Sequence, residues 1–301
     1  ASIANISCGF DVLGLAIAAP GDEVTVSFNA LGYSRITDIQ GDLGKLPYEL
    51  EKNTAGKAIA ALCTALGETR GIDIKVHKKM PFGSGMGSSA ASAVAAVVAA
   101  NALLGNPLTK HELLPFALDG EAVASGARHA DNVAPSLLGG MVLVRSHDDP
   151  SEVLSLPIPS NLYYSLIHPD VEILTKEARN ILPKVVSMQD AITQSANLGS
   201  LVVALYENDL ALLGRSIQDS LAEPYRKALL PAFDKVKNAA LYGGALAFGI
   251  SGSGPSMFAF ADGLAKAKQI ADLMQRCLQR EKISSNTYCG KVNTRGAHVI
   301  G

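Results

Sequence analysis

The chain has 301 residues, and its 26 Lys and Arg against 28 Asp and Glu give a formal net charge of −2 at pH 7. Hydrophobic residues make up 48% and charged residues only 18% of the chain. This balance excludes a disordered chain, and it argues against nucleic acid or an acidic membrane as the main partner, because such binders carry a basic surface.

One or two domains are expected at this length. We place the boundary at the polar break 147–151, which divides the chain into residues 1–152 and 153–301. The most apolar stretch, residues 90–104, is too short and too poor in bulky side chains to span a membrane. The start shows no secretory signal pattern, and the four cysteines have no CxxC spacing. We therefore expect reduced thiols in a cytoplasmic protein.

Strands and helices alternate in the first half of the predicted structure. Alternating apolar residues predict strands at 23–28, 71–76 and 140–144. Helices are predicted at about 53–66, 88–104 and 109–125. Asn53 is placed to cap the first helix and Gly67 to end it, whereas Thr109 and Glu112 have the spacing of a capping box. The second helix is apolar nearly all round, so we expect it to be buried.

The second half has the same mixed character. Helices are predicted at about 175–182, 188–207, 209–222, 231–242 and 264–281. Strands are predicted at about 162–167, 245–250, 258–261, 287–292 and 298–300. Because strands and helices interleave without strict βαβ regularity, both halves are expected to be α+β layers.

A glycine-rich segment, PFGSGMGSSAA at residues 81–91, leads into the predicted buried helix. Its glycines allow the backbone to wrap tightly, and the free amides of a helix N-terminus bind anions. The spacing matches neither the Walker pattern GxxxxGK[ST], nor GxGxxG, nor the hydrolase pattern GxSxG. We favour a phosphate-binding loop over a plain turn, and the hydroxyls of Ser88 and Ser89 suit phosphate or Mg²⁺.

Glu121 lies on the apolar stripe that Leu114 and Leu118 form on the third helix. A carboxylate on that stripe is expected to be buried, and a buried charge needs a partner such as a cation. The alternative is that the stripe ends there and the side chain reaches solvent.

Two further polar segments follow. In the cluster 125–132, Asp131 and Asn132 suit metal binding, proton transfer or helix capping, and capping is the commoner role. Residues 249–256 (GISGSGPS) form a second glycine-rich turn, expected between two strands. Two such loops in one chain suggest two sides of one polar ligand.

Taken together, residues 5–11, 81–91 and 251–255 resemble, in order, the three motifs of the GHMP small-molecule kinases, which include galactokinase, homoserine kinase and mevalonate kinase. Within this superfamily the similarity is greatest to the homoserine kinases, on GARHADNVAP (126–135), TKEAR (175–179) and EPYR (223–226). Two residues depart from the family pattern, Ser7 in place of Gly and Met86 in place of Leu.

The resemblance spans nearly the whole chain, and it implies a two-domain α+β GHMP kinase fold. The N-terminal domain is then a ribosomal-S5-domain-2-like α/β domain that binds ATP, and the C-terminal domain is ferredoxin-like. The implied activity is ATP-dependent, Mg²⁺-assisted phosphorylation of the side-chain hydroxyl of L-homoserine in threonine biosynthesis.

The resemblance also implies site residues. Those for the nucleotide are Asn53, Lys78, Pro81, Gly83, Ser84, Gly85, Met86, Gly87, Ser88, Ser89, Ala90, Ala91, Ser253 and Gly254. Those for homoserine are Asn5, Asp11, His129, Asp131, Thr175, Arg179, Arg226 and Gly252. Those for Mg²⁺ are Ser89 and Glu121, which together with Asp131 are the implied catalytic residues.

Homoserine is a zwitterion, so its ammonium needs acceptors such as Asn5 and Asp11, and its carboxylate suits the planar forks of two arginines. Asp131 is either a general base or a group that orients the hydroxyl, and we favour orientation. Two alternatives stay open, a mevalonate-type GHMP kinase and an inactive GHMP-fold ligand-binding protein. No nucleic-acid or membrane partner is expected, and the sequence leaves a homodimer open.

Overall fold

The computed structural model of the chain describes residues 1–126, 128–147 and 149–300. Ala127, in the predicted polar cluster 125–132, and Asp148, in the predicted polar break 147–151, lie outside the described residues. The described strands are β1 (Ser2–Ala4), β2 (Leu13–Ala16), β3 (Glu23–Asn29), β4 (Arg35–Gln40), β5 (Gly71–His77), β6 (Met141–Val144), β7 (Val153–Leu156), β8 (Leu162–Pro169), β9 (Ala247–Ile250), β10 (Met257–Asp262) and β11 (Ser285–Lys291). The described α-helices are α1 (Thr54–Leu66), α2 (Ser88–Leu103), α3 (Lys110–Ser125), α4 (Ala130–Leu138), α5 (Thr175–Asn180), α6 (Met188–Glu207), α7 (Leu210–Ser216), α8 (Glu223–Arg226), α9 (Phe233–Tyr242) and α10 (Leu264–Arg280).

The first half contains two sheets around a helical core. One sheet has the antiparallel order β1-β2-β6-β7, and the other has the order β3-β5-β4, with β4 and β5 parallel. Helices α1 to α4 share one apolar core with strands β4, β5, β6 and β7, and α2 contributes the small side chains of Ala93, Ala96 and Ala100. Because these side chains are small, α2 packs closely among its neighbours, as its apolar sequence predicts.

The second half has the strand order β11-β8-β10-β9, which is the ferredoxin-like arrangement implied by the resemblance. Helices α9 and α10 cover one face of this sheet through Phe233 and Met274. The other face presents Tyr164, Phe258 and Phe260 to a core shared with β1, β2 and α6. The two halves therefore meet over a common apolar core.

The predicted helix ends are confirmed where side chains cap them. Asn53 accepts hydrogen bonds from two backbone amides at the start of α1, and Gly67 ends that helix with a left-handed φ of 66°. Thr109 and Glu112 form the full capping box of α3.

Two predicted elements are wrong. Helix 209–222 ends at Ser216, because the Asp219 carboxylate accepts hydrogen bonds from the next three backbone amides after Ser220 and so begins α8. Residues 298–300 form no strand, and Val299 and Ile300 are exposed. Strands β1, β2, β4 and β7 and helices α4 and α8 are elements that the sequence patterns did not predict.

The predicted domain boundary lies just before β7, which pairs antiparallel with β6 and so extends the first sheet. The division at residue 152 stays a prediction. Among the described helices, none has the length and apolar character needed to cross a membrane. The four cysteines are free thiols.

Candidate active site

A cleft of about 1050 Å³ collects side chains from both halves of the chain. The predicted residues that line it are Asn5, Asp11, Lys78, Gly83, Ser84, Gly85, Gly87, Ser88, Ser89, Glu121, His129, Asp131, Thr175, Arg179, Arg226, Gly252 and Ser253. The predicted residues that do not line it are Asn53, Pro81, Met86, Ala90, Ala91 and Gly254.

The predicted phosphate-binding loop (residues 81–87), named the phosphate loop below, depends on glycine to turn into α2. Gly85 and Gly87 have positive φ of 72° and 68°. A Cβ at Gly85 would lie 2.4 Å from the carbonyl oxygen of Ser251, and one at Gly87 would lie 2.4 Å from the Ser2 hydroxyl. Any other residue would push the loop away from its neighbours, so the close contacts of these two glycines fix the position of the amides at the start of α2.

The second glycine turn (residues 251–256) lies directly against the phosphate loop. The Ser251 hydroxyl donates a 2.7 Å hydrogen bond to the carbonyl of Gly85, and the Ser256 amide donates to the carbonyl of Ser84. The two glycine-rich loops thus support each other at one end of the cleft. The Ser84 hydroxyl is buried and has no hydrogen-bond partner among the described residues, which suits a ligand oxygen.

Lys78 lies beneath the start of α2 in a buried ion pair with Asp22. Its ammonium also donates 2.9 Å hydrogen bonds to the carbonyl and hydroxyl oxygens of Ser88 and to the hydroxyl of Ser92. Burial lowers the pKa of Lys78, and the Asp22 carboxylate opposes this shift. These contacts hold the start of α2, which follows the phosphate loop, against the segments that precede β3 and follow β5.

Sequence reasoning did not single out Asp22. The signal lies in strand register, because Glu23 of β3 pairs with His77 of β5 and so places Asp22 opposite Lys78. The predicted contact of Lys78 with adenine stays a prediction. Asn53, predicted beside it, is buried and uses its side chain to cap α1 and to donate to the carbonyl of Pro47.

The pair predicted to bind metal, Ser89 and Glu121, lines the cleft from two helices. Glu121 is 4% exposed on α3, which confirms the burial expected from the apolar stripe, and Ser89 stands in the first turn of α2. Among the described residues, no three His, Cys, Asp or Glu side chains form a metal-binding cluster. A single carboxylate with a hydroxyl nevertheless fits Mg²⁺, which takes most of its remaining ligands from water and substrate phosphates.

The first-motif loop (residues 5–11) has a strained backbone. Asn5, Ile6 and Ser7 have consecutive positive φ values of 71°, 45° and 55°, and Asp11 has a φ of 60°. Inside the loop, the Asn5 side chain accepts a 2.9 Å hydrogen bond from the Asp11 amide, and it donates one to the carbonyl of Gly252. Strain of this kind persists only where surrounding contacts hold it, and it is frequent at ligand sites.

Opposite charges predicted to hold a zwitterion are paired with each other. Both guanidinium nitrogens of Arg179 donate 2.9 Å hydrogen bonds to the Asp11 carboxylate, and this pair is partly exposed. Arg226 is 3% exposed and donates to the carbonyls of Ala178 and Gly252. Burial and the nearby Arg179 charge both lower the pKa of Arg226, so an added carboxylate would be favourable there.

Phe10 holds these two arginines side by side. The guanidinium carbons of Arg179 and Arg226 lie 5.8 Å and 5.1 Å from the centre of its ring. Cation–π contact partly offsets the repulsion between two like charges. Sequence reasoning did not name Phe10, although its place beside Asp11 in the first motif is a signal.

Asp131 is a buried carboxylate in the first turn of α4. Burial raises its pKa to about 7, the Asp11 charge adds to the rise, and Arg179 opposes it. Its Oδ1 atom has no hydrogen-bond partner among the described residues. A buried acceptor that lines a cleft in this way can receive a hydrogen bond from a ligand hydroxyl.

The remaining predicted residues surround this group. His129 precedes Asp131 at the N-terminus of α4, and burial together with the Arg179 charge lowers its pKa. Thr175 is the first residue of α5, and its hydroxyl lies 3.5 Å from the Ser253 hydroxyl. Met86 is fully buried in the core shared by the two halves, and Met in place of the family residue Leu nearly conserves side-chain volume.

Comparison with known proteins gives a consistent result. The sequence model described as "GHMP kinases N terminal domain" matches residues 53–140, and "GHMP kinases C terminal" matches residues 201–279. The homoserine kinase of Chloroherpeton thalassium is 45% identical over 311 residues, which cover 100% of this chain and 97% of the relative. That of Chlorobium phaeobacteroides is 44% identical with the same coverage.

Solved structures agree. The crystal structure of homoserine kinase from Cytophaga hutchinsonii is 51% identical and superposes with a TM-score of 0.96, covering 98% of this chain and 94% of that one. The L. major mevalonate kinase, solved with R-mevalonate, has a TM-score of 0.69 over 92% of this chain and 89% of that one, at 17% identity. The latter likeness concerns the fold alone.

Proposed function

We propose that this chain, which belongs to the homoserine kinase family of the GHMP kinases, transfers the γ-phosphoryl group of ATP to the side-chain hydroxyl of L-homoserine, a step of threonine biosynthesis. The observation that carries the proposal is the group of Asp11, Arg179 and Arg226 beside Asp131, facing the glycine-built end of the same cleft.

The nucleotide phosphates are proposed to bind at the start of α2. The phosphate loop offers backbone amides there, and the helix dipole favours negative charge. Lys78 adds a positive charge behind these amides. Its ammonium is already bonded to Asp22, Ser88 and Ser92, so we do not assign it a direct contact with the phosphates.

Ser89 and Glu121 are the residues that would hold Mg²⁺. When bound, this ion neutralises charge on the phosphates of ATP. Glu121 is well suited because a buried carboxylate is stabilised by a cation.

The amino acid is proposed to exchange with the internal ion pair. The homoserine ammonium would take the Asp11 carboxylate, and its carboxylate would take Arg179 and the buried Arg226. Each charged group of the site then keeps a partner of opposite sign. A ligand that lacks either charge would leave one buried or half-buried group unpaired, which costs binding energy.

Asp131 is proposed to orient the hydroxyl. Its carboxylate would accept the hydroxyl hydrogen bond and so direct an oxygen lone pair at the γ-phosphorus. In the step, the new bond forms between the homoserine oxygen and phosphorus, and the bond from phosphorus to ADP breaks, with its electron pair staying on ADP. The hydroxyl proton is released to solvent after the new bond has formed. Because the thiols are free, we place the reaction in the reducing cytoplasm.

The test is ADP release, measured by a coupled assay with ATP, Mg²⁺ and one acceptor at a time: homoserine, serine, threonine or mevalonate. Homoserine is expected to give the highest kcat/KM. Arg179→Ala and Arg226→Ala should each raise the homoserine KM about tenfold or more and leave the ATP KM nearly unchanged. Turnover of mevalonate in preference to homoserine, or a normal homoserine KM in both variants, would contradict the proposal.

A further inference from the structure

Gln194 lies in the middle of α6 and joins two segments that carry cleft residues. It is 7% exposed. Its side-chain amide donates hydrogen bonds to the carbonyl oxygens of Cys8 at 2.9 Å and of Ser7 at 3.3 Å, and its side-chain oxygen accepts a 2.9 Å bond from the Ser220 amide. All three of these hydrogen bonds therefore join the Gln194 side chain to backbone groups outside α6.

The first of these segments is the strained first-motif loop. Left-handed backbone is unfavourable for most non-glycine residues, and three residues with positive φ stand in a row from Asn5 to Ser7. Gln194 binds the carbonyl of Ser7, the last residue of this run, and that of Cys8, the next residue. Asn5 and Asp11, which line the cleft, lie at the two ends of the loop. Its shape therefore decides where the Asp11 carboxylate lies.

The second segment leads into α8. Ser220, held by Gln194, is followed by amides that bind the Asp219 carboxylate, and these amides open the helix. The last residue of that helix is Arg226. The position of Ser220 therefore affects where α8 lies, and with it where the buried guanidinium of Arg226 lies in the cleft.

We propose that Gln194 is a positioning residue for the amino-acid substrate, because it fixes the distance between the loop that carries Asp11 and the helix that carries Arg226. An α-amino acid presents its ammonium and carboxylate at one fixed separation, so both sets of protein groups must be held at a matching distance. The proposal rests on the proposed function, since it assigns these two sets to the two charges of homoserine.

Two variants test it. Gln194→Met keeps the side-chain length and removes all three hydrogen bonds. Gln194→Glu keeps the acceptor for Ser220, removes both donated bonds, and is the second variant should the first fold poorly. Both should raise the homoserine KM about tenfold, while the ATP KM changes less than twofold, because the phosphate loop has its own contacts with Ser251 and Ser256.

The matched control is Asn197→Ala. Asn197 lies one turn further along α6 and donates to the carbonyl of Gln218, in the segment before α8, but not to the first-motif loop. It should leave both KM values within twofold of wild type. An unchanged homoserine KM in both Gln194 variants overturns the proposal, and so does an equal effect in the control or a parallel rise in both KM values.

Hydrogen exchange separates this proposal from the proposed function. The amides of Asp11 and Leu13 are bonded inside or next to the first-motif loop. Both should exchange faster in Gln194→Met, and amides of β9 and β10 should not change. If the wild-type protein does not phosphorylate homoserine, the proposed function fails, and unchanged exchange in the loop overturns the role of Gln194 independently of any substrate.

Discussion

The two ends of the cleft are built in different ways. One is proposed to bind the nucleotide and is named the nucleotide end, and the other is proposed to bind homoserine and is named the amino-acid end. The nucleotide end is one continuous segment, in which backbone amides and glycines lie between β5 and α2. The amino-acid end is assembled from side chains that are far apart in sequence, such as Asp11 and Arg179, whose carboxylate and guanidinium meet at 2.9 Å. One end therefore depends on the shape of a loop, and the other on charges that must be brought together by the whole fold.

This difference shows where a mutation acts. A side chain added to the nucleotide end displaces backbone, so it is expected to disturb ATP and turnover together. A side chain removed from the amino-acid end leaves a charge without its partner, so it is expected to act on the amino acid.

The largest effect is expected for Gly85→Ala. Its Cβ would meet the carbonyl oxygens of Ser251 and Gly254 at 2.4 Å and 2.6 Å, so the loop must move. We expect kcat/KM for ATP to fall by about a hundredfold or more, because displacement by about 1 Å costs this much in catalysis.

Gly67→Ala is the matched control for that substitution. Gly67 has a similar φ of 66° but nothing within 4 Å of an added Cβ, and it does not line the cleft. It should cost roughly 1 kcal/mol of stability and leave both KM values unchanged. Equal losses of activity in the two variants would show that the loop matters only through overall stability.

The next effect is expected for Glu121→Gln. The substitution keeps the shape of a buried side chain and removes the charge that suits Mg²⁺. At limiting Mg²⁺, turnover should fall by roughly tenfold or more and recover in part as Mg²⁺ is raised. Melting temperature should change little. A rate equal to wild type at limiting Mg²⁺ would remove Glu121 from the metal site.

A pH-dependent effect is expected at Asp131. Its pKa of about 7 means that the carboxylate that accepts the hydroxyl hydrogen bond forms only as the pH rises. For wild type, kcat/KM for homoserine should increase with pH to about 7 and then level, and Asp131→Asn should lack this limb. If Asp131 only orients the hydroxyl, the variant should keep more than about a hundredth of wild-type kcat, whereas loss of a general base can cost 10²–10⁴-fold.

The same shift sets the sign of a stability change. The folded-state pKa is raised above the ordinary value of 3.8, so the stabilisation from this group is complete below about pH 4 and is lost as the pH rises to about 7. Asp131→Asn should therefore gain in melting temperature over wild type as the pH goes from 4 to 7. A pH-independent difference between the two proteins would contradict the raised pKa.

The smallest effect is expected for Ser7→Gly. Ser7 has a φ of 55°, and its hydroxyl is buried with no hydrogen-bond partner among the described residues. Glycine relieves both, so stability should rise by about 1 kcal/mol, measured by denaturant unfolding, with the homoserine KM unchanged. A loss of stability would show that the Ser7 hydroxyl stabilises the folded loop through packing.

Much of the nucleotide end could be predicted from the sequence, because its signals are local. Three of these signals depend on residues within one or two helical turns of each other: the spacing of Gly85 and Gly87, the helix caps of α1 and α3, and the burial of Glu121. The amino-acid end could be named only through resemblance, since pairing between Asp11 and Arg179 depends on tertiary structure.

The contacts that hold the cleft together were beyond the pattern analysis for the same reason. Asp22 meets Lys78 only once β3 and β5 are in register, and Gln194 looks like any polar residue on a helix until α6 is packed. The end predicted for α7 was wrong because the Asp219 carboxylate competes for backbone amides, which apolar periodicity does not show.

The most direct test of the account is a crystal structure of the protein with homoserine, Mg²⁺ and a non-hydrolysable ATP analogue. We expect the homoserine ammonium within hydrogen-bonding distance of the Asp11 carboxylate, its carboxylate between Arg179 and Arg226, and its hydroxyl on Asp131, facing the γ-phosphate. Homoserine bound elsewhere, with the two 2.9 Å bonds between Asp11 and Arg179 intact and Asp131 without contact, would contradict it.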